Sequence, residues 1–334
     1  MMRHTALMLL KKDGKLLLGL KKRGFGMGKI SGIGGKAEKG ESIEDAAIRE
    51  TIEEIGINVL KMEHVADLVF DNLYYKGIPE SHMMHIFIGT EWSGEPIESD
   101  EIKPKWFNIS ELPYEKMWAD DKYWLPEVLR GNKIEAWFHY NEKNVFTDYW
   151  VKKLPEKVIS RVNDASVGQK DAGGDPASFT IKEAARAVLL NEKGQVALMH
   201  AKNRGWYKLP GGGREKDELV YQCLIRELQE ETGYKIKNIE PLGVAINSRS
   251  QWQMIGKAYL YVCRTDIFTQ RGPMNDEKSD GDTLEWFDSF DEAIDALESV
   301  KLDKIGFYGA YFFTRREIDT LKYAKRELEQ KRRA

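Results

Sequence analysis

The sequence predicts an α+β protein built as two domains in tandem. Three observations carry that reading. At 334 residues the chain exceeds one ordinary domain. Short apolar or alternating runs of strand type outnumber helical patterns, and one acidic signature occurs twice, once in each half. Composition is that of an ordinary globular protein, 42% hydrophobic and 31% charged with a net charge of −3. Such a balance exerts no general pull toward nucleic acid or an anionic membrane, so any phosphate must be bound by a local site. The two cysteines, Cys223 and Cys263, lack metal-ligand spacing, which fits a reducing cytoplasm and argues against a disulfide framework. The early run ALMLL is too short for a signal segment and no stretch approaches a membrane span, so the expectation is a soluble cytoplasmic protein.

Taken in order, KLLLGL (15–20) reads as a strand, and a glycine-bearing loop from Gly35 to Glu41 leads into a helix over 42–55. Ser42 is its N-cap with Asp45 at N3, and Gly56 is the C′ residue where positive φ ends it. Strands follow at HMMHIFIGTEW (82–92) and EAWFHY (135–140). The stretch SRVNDASVGQKDAGGDPAS (160–178) is poor in large apolar residues and reads as the core of a linker, placing domains at 1–158 and 181–334 around a linker of 159–180. The second half repeats the order with strands at QVALMH (195–200) and KAYLYVCR (257–264), a helix over 218–232, and a final amphipathic helix from about 313 to 330. Trp106-Phe107 and Trp286-Phe287 follow the two signatures at nearly equal distances, which supports a duplicated fold.

The signatures are GKAEKGESIEDAAIRETIEEIGI (35–57) and GGREKDELVYQCLIRELQEETGY (212–234). Both read Gly, five residues, Glu, seven residues, Arg-Glu, two residues, Glu-Glu, one residue, Gly. With each fixed type at roughly one position in fifteen, such a match arises by chance on the order of once in 10⁸ starts. At about 100° per residue Glu50, Glu53 and Glu54 share one side of a helix, as do Glu227, Glu230 and Glu231. Crowded carboxylates repel unless a positive charge sits among them. A hard divalent cation with oxygen ligands suits them, and Mg²⁺ fits because it keeps waters and shares substrate phosphates. Gly34-Gly35 allows a phosphate to approach the main chain closely, and a bound cation there can orient a triphosphate and activate water.

These residues resemble the box of the Nudix family. The resemblance implies an α/β/α sandwich in each half and hydrolysis of nucleoside diphosphate derivatives with Mg²⁺, or alternatively Mn²⁺. It implies that Glu50, Glu53, Glu54, Glu227, Glu230 and Glu231 act as metal ligands or bases, with Gly35 joining the metal set. Arg49 and Arg226 would orient the glutamates together with Glu41 and Glu218, and Gly211-Gly212 would approach substrate as Gly34-Gly35 do. Thr51 stands at a position normally apolar, which weakens packing more than chemistry.

MWADDKYW (117–124) places Asp120 and Asp121 side by side among tryptophans. Taken alone it fits a turn with two solvated aspartates, or a pair that shares a proton so that one carboxyl donates and the other accepts. Such a pair can read a purine edge. LLLGLKKRGFGMGKISGIGGKAEKGESIEDAAIRE (16–50), ESDEIKPKWF (98–107) and MWADDKYWLP together resemble the animal-type 8-oxo-dGTP diphosphatases of that family over residues 3–154. That likeness implies removal of pyrophosphate from oxidised purine nucleoside triphosphates, the 8-oxo-dGTP and 2-oxo-dATP class, as nucleotide-pool sanitation. Asp120 and Asp121 would bond the base, Trp118 would stack on it, Phe25 and Phe70 would line the pocket, Lys21 would lie near the active site, and Glu101 would join the metal. Ser31 departs from a base-reading asparagine and Ala6 from a pocket threonine, which leaves the preference among modified purines open. An insertion at YYKGIPES (74–81) leaves the neighbouring pocket wall unassigned.

The second half lacks paired aspartates between tryptophans, so its substrate is open. Trp206, Tyr207 and Trp252 fit core or rim better than a base stack, and Asp280 or Asp282 stands where Glu101 does. The basic run KYAKRELEQKRR fits a solvated helix end; interspersed acids argue against nucleic acid as partner. Two alternatives remain: a hydrolase of another nucleotide derivative, such as a dinucleoside polyphosphate or nucleotide sugar, and a nucleotide-sensing regulator with one catalytic domain.

Overall fold

The computed structural model describes residues 2–75, 78–269 and 282–333, which divide into two units, Met1–Leu154 and Pro155–Ala334. In unit 1, β1 (Arg3–Lys12) turns back through Asp13 and Gly14, both at positive φ, into β2 (Lys15–Lys21). There follow β3 (Ile30–Ser31), α1 (Ile43–Ile55), β4 (Asn58–Tyr75), β5 (Ile78–Ser93), β6 (Ile102–Asn108), α2 (Asp121–Leu129), β7 (Ile134–Tyr140) and β8 (Phe146–Lys153). The sheet order is β3-β2-β1-β5-β4-β7-β8 with β6 on β2. β5 runs parallel to β1 and β7 parallel to β4, so the sheet is mixed.

Alternation along β1 divides the core into two layers. Ala6, Met8 and Leu10 are buried with Ala46, Ala47 and Ile55 of α1. Leu9 turns to the opposite layer, where Trp124, Leu125 and Val128 of α2 pack with Leu68 and Ile86. Thr51 is fully buried in α1 and its hydroxyl donates to the Ala47 carbonyl at 2.7 Å, so the polar group costs little.

Unit 2 contains β9 (Val158–Val162), β10 (Thr180–Leu190), β11 (Val196–Ala201), β12 (Trp206–Lys208), β13 (Gly211–Gly213), α3 (Val220–Thr232), β14 (Tyr234–Arg249), β15 (Met254–Phe268), β16 (Asp282–Phe287), α4 (Phe290–Glu298), α5 (Leu302–Ile305) and α6 (Tyr308–Arg333). Its order is β12-β11-β10-β15-β14-β9, with β13 on β10 and β16 on β11. Leu321 and Ala324 of α6 pack with Ala293, Ile294 and Leu297 of α4 over Val188, Val196 and Leu198. Among the described residues no helix is long and apolar enough to cross a membrane.

The stretch expected as a linker belongs to unit 2, and the boundary falls between Leu154 and Pro155. β9 lies parallel to β14 with Ser160 opposite Ala245, as β7 lies parallel to β4 with Ala136 opposite Leu68. The strand beside β14 therefore comes from the start of unit 2, whereas its counterpart β7 beside β4 follows α2 and is itself covered by β8. The apolar anchoring of β9 is short, Val162 buried and Ile159 packed on Ala245, Ala258 and Leu260, and polar bonds hold the rest. Asp164, 3% exposed, accepts from the Ser250 amide at 3.1 Å and from the Tyr308 hydroxyl, and Ser160 Oγ donates to Asp319 at 2.8 Å.

A fragment of residues 155–334 is expected to unfold cooperatively, whereas 181–334 lacks β9 and the Asp164 bonds. At about 1 kcal/mol net per hydrogen bond, the shorter fragment should melt roughly 10 °C lower. Equal melting temperatures by circular dichroism would return the stretch to the status of a linker.

Candidate active sites

Ser42 caps α1 by accepting from the Asp45 amide at 3.0 Å, and Gly56 ends the helix at φ 73°. The cap fixes where the helix starts, and so which face carries the acids. Arg49 sits among them: its Nε and Nη2 meet Glu41 at 2.9 and 3.1 Å, and Nη1 meets Glu50 at 2.9 Å and Glu53 at 3.0 Å. Glu54 turns inward. It is 7% exposed and accepts from the Gly34 amide at 3.1 Å, and burial pushes its carboxyl up to about 7. Charges on Lys21 and Glu101 both act on Glu54, while Glu101 itself pairs with Arg23.

Two glycines make this arrangement sterically allowed. A Cβ on Gly34 would lie 2.1 Å from the Ala6 carbonyl oxygen, and one on Gly35 would lie 2.4 Å from the Glu50 carboxylate. The Gly35 carbonyl accepts from the Ala6 amide at 2.9 Å and keeps its second lone pair. The clustered carboxylates with this carbonyl form a hard oxygen donor set, and one arginine among four acids leaves negative charge for a divalent cation to balance.

A cavity of about 380 Å³ opens beside Glu54. Its lining brings together Lys21, Phe25, Ser31, Gly34, Gly35, Phe70, Trp118, Asp120 and Asp121; Arg49, Glu50, Glu53 and Glu101 stand outside it. Asp120 and Asp121 are 4% and 6% exposed, so they are not the solvated turn. Asp120 accepts from the Tyr140 hydroxyl at 3.1 Å and from Trp124 Nε1 at 3.2 Å, while Asp121 accepts from the Trp118 amide at 3.0 Å. Burial first, and then the Asp120 charge, push the Asp121 carboxyl well above the usual range. The pair shares a proton, and burial together with the Asp120 charge favours Asp121 as its holder. The cavity thus presents an acceptor beside a donor.

Phe25 stacks on Trp118 with ring centroids 5.2 Å apart. Phe70 stacks on His82, whose imidazole burial pushes down to about 4, leaving it neutral. The Ser31 hydroxyl donates to the Gly32 carbonyl at 3.0 Å. Sequence reasoning missed Leu7, His82, Met84, Trp124 and Tyr140 in the lining. Trp124 lies within MWADDKYW, Glu80 within the insertion at 74–81 that left this wall unassigned, and His82 at the start of the 82–92 strand.

A separate cluster lies on β4 and β5, where one oxygen of Asp67 accepts from His64 at 2.9 Å and from His85 at 2.6 Å. Burial would raise the Asp67 carboxyl, but the two imidazoles outweigh it and hold it below the usual range. Hydrogen bonds satisfy this group.

Unit 2 repeats the clasp. Arg226 meets Glu218 at 2.7 and 2.9 Å, Glu227 at 2.8 Å and Glu230 at 3.5 Å. Glu231 accepts from the Gly211 amide at 2.7 Å and from Lys208 at 3.0 Å. Added Cβ atoms on Gly211 and Gly212 would fall 2.2 Å from the Ala185 oxygen and 2.3 Å from the Glu227 carboxyl. Lys208 also pairs with Asp282 at 3.1 Å. Asp282 lies opposite Ala201 as Ile102 lies opposite Lys21, one position beyond Glu101, and Asp280 lies outside the described residues. Trp206 is buried against Phe313, Tyr207 stacks on His200, and Trp252 packs on Arg249, in keeping with core or rim.

Each unit is therefore a mixed sheet between helices that carries an arginine-clasped glutamate helix beside a glycine pair. That class is the NUDIX domain, which matches residues 2–128 and 180–308, and the chain belongs to this family with two domains in tandem. Its N-terminal half is similar to the oxidized purine nucleoside triphosphate hydrolases of Danio rerio and Mus musculus. Identity to the first is 41% over 150 residues, 45% of this chain and 94% of that protein. Identity to the second is 37% over 152 residues, 46% and 96% of the two chains. The crystal structure of a mutator MutT protein from Bacillus halodurans is matched at 26% identity and a TM-score of 0.40, over 45% of this chain and 98% of that one.

The buried aspartates carry a pH signature. Their folded carboxyls are raised, so the stabilisation they give is full below the unfolded value near 4 and is lost as pH rises through the folded value. Asp121→Asn fixes the neutral form and should stabilise the protein more at pH 8 than at pH 5. Urea unfolding that shows one pH-independent difference would contradict the shared proton.

Proposed function

We propose that unit 1 hydrolyses oxidised purine nucleoside triphosphates, of the 8-oxo-dGTP and 2-oxo-dATP class, to monophosphate and pyrophosphate. Unit 2 is, in this reading, a second hydrolase of nucleoside diphosphate derivatives with a different substrate. One observation carries the first part: a single cavity is lined at one end by Glu54 and elsewhere by the buried Asp120 and Asp121 pair. Similarity of this half to oxidized purine nucleoside triphosphate hydrolases supports the same reading.

An oxidised purine differs from its parent in the donors and acceptors along its edge. A protonated Asp121 beside an ionised Asp120 offers one of each, and a base lacking the complementary pattern leaves a buried carboxyl unpaired, at a cost of about 1–3 kcal/mol. Phe25, Phe70 and Trp118 supply apolar and aromatic surface for the ring. Lys21 places positive charge near Glu54, where phosphate would lie. Glu50, Glu53 and Glu54, with the Gly35 carbonyl and Glu101, would hold Mg²⁺ or Mn²⁺ in unit 1, and Glu227, Glu230 and Glu231 would do so in unit 2. When bound, the cation supplies charge neutralisation of the phosphates and a more acidic water. Arg49 and Arg226 hold the glutamates in register, and Glu54, fixed by the Gly34 amide, faces the cavity.

Purified protein should turn over 8-oxo-dGTP with higher kcat/KM than dGTP. Glu54→Gln should lower that activity by about 10²-fold or more while Glu231→Gln leaves it intact. Equal turnover of the two nucleotides would remove the substrate assignment, and an unaffected Glu54→Gln would remove the assigned centre.

A further inference from the structure

At strand positions where unit 1 lines its cavity with apolar and neutral side chains, unit 2 carries arginines. Gly34 crosses Ala6 as Gly211 crosses Ala185, so Leu7 in the unit 1 cavity corresponds to Arg186. Strand register extends the match: Thr5, Met84 and Leu68 align with Ala184, Ala258 and Ala245, which sets Asn247 at the place of Phe70 and Gly256 at that of His82. Arg249 fills the space beside Gly256, where a Cβ would fall 2.6 Å from its Nη2 and 2.5 Å from Asn247. The glycine is what admits the guanidinium.

Arg316, from α6, completes the group. Arg249 and Arg316 lie over the Phe313 ring at 4.9 and 5.2 Å, and the Trp206 ring stacks on the same phenyl. Arg249 and Arg316 are 6% and 3% exposed. Among the described residues the only carboxylate within ion-pair distance of these three arginines is Glu317, at 4.0 Å from Arg186 and directly bonded to Arg316. Arg249 donates to the amide oxygen of Asn247 instead. Arg249 and Arg316 are buried with Glu317 as the one carboxylate in ion-pair contact, while Glu227 and Glu231 act on Arg186 from beyond that distance, so the group retains capacity for a further negative charge. Burial and the neighbouring Arg316 push the Arg249 guanidinium down to about 10. Among the described residues, Arg186 Nε, Asn247 Nδ2 and Trp206 Nε1 are buried without a hydrogen-bond partner. The group adjoins the glutamate helix, because Arg186 Nη1 donates to the Gly211 carbonyl at 2.9 Å and the Gly211 amide donates to Glu231.

We propose that Arg186, Arg249 and Arg316 form an anion-binding subsite of unit 2, which takes a phosphate group of its nucleotide substrate. This rests on reading the second glutamate helix as the seat of diphosphate chemistry. The phosphate has two sources, a further phosphomonoester on the substrate or the diphosphate bridge itself, and uncharged or purine-edge recognition is the province of unit 1.

The full chain, kept in EDTA so that turnover plays no part, is titrated by calorimetry with NADP and NAD, with coenzyme A and dephospho-coenzyme A, and with pyrophosphate. Tighter binding of a phosphorylated member by about tenfold, with the ratio falling toward one in Arg249→Gln, assigns the group to the phosphomonoester. Equal binding within each pair, with pyrophosphate and both members weakened about tenfold in the variant, assigns it to the bridge. Arg186→Gln serves where Arg249→Gln fails to fold. Unchanged affinity for all five ligands in the folded variants, or no binding of any by the wild type, overturns the proposal. Binding that responds to the arginines without any Mg²⁺-dependent hydrolysis would instead remove only the catalytic reading of unit 2.

Discussion

The arrangement on which both sites depend is one guanidinium held among carboxylates at the start of a helix-borne acidic face. Two carboxylates about 4 Å apart repel by roughly 4 kcal/mol at the effective dielectric of a protein surface, so three on one helix side with a fourth beside them would splay. Arg49 prevents this by bonding Glu41, Glu50 and Glu53 together, and Arg226 does the same for Glu218, Glu227 and Glu230. Neither arginine reaches the last glutamate. Glu54 and Glu231 are instead drawn under the sheet edge by the amides of Gly34 and Gly211. The result is a partly neutralised cluster, ordered enough to be preformed and negative enough to attract a cation.

That geometry explains why the glycine pair and the helix are inseparable. The first glycine lets the loop lie against β1 or β10, and the second clears the volume into which Glu50 or Glu227 projects. The helix caps then set the phase of the acidic face. Moving the start of α1 by one residue would rotate the glutamates by about 100° and take them away from the glycine amide. Local sequence and tertiary packing are thus in agreement along the whole segment, and in both units.

This agreement is also why so much was legible from sequence. The residues of each signature interact with one another at spacings of one to about twenty, so fixed spacing in the chain becomes fixed distance in space. The strands at 15–20, 135–140 and 195–200 were legible for a similar reason, since their apolar residues face cores on known periods. The 159–180 stretch was not, because it gives the core only a few apolar side chains, Ile159, Val162 and Phe179, and relies besides on ladder bonds and buried Asp164. α4 was also passed over, although Ser289 caps it by accepting from the Glu292 amide and it buries Ala293, Ile294 and Leu297. The lining contributed by Leu7, His82 and Tyr140 was hidden because three distant strands deliver it, and no single stretch contains the pattern.

Duplication makes the divergence between the units informative. Where the scaffold must hold the glutamates, the units share the glycine pair, the arginine and the four acids; at the strand positions facing the unit 1 cavity, Arg186 and Asn247 of unit 2 stand where unit 1 has Leu7 and Phe70. Unit 1 closes its cavity with two buried carboxyls from the beginning of α2. Unit 2 brings α6 to its sheet and with it Arg316, and sets β9 beside β14 where unit 1 sets β7 beside β4. The rerouted chain and the change of charge belong together. A helix arriving from the far end of the domain presents a different set of side chains to the same strands, so the substrate-facing chemistry could change without disturbing the clasp that both sites share.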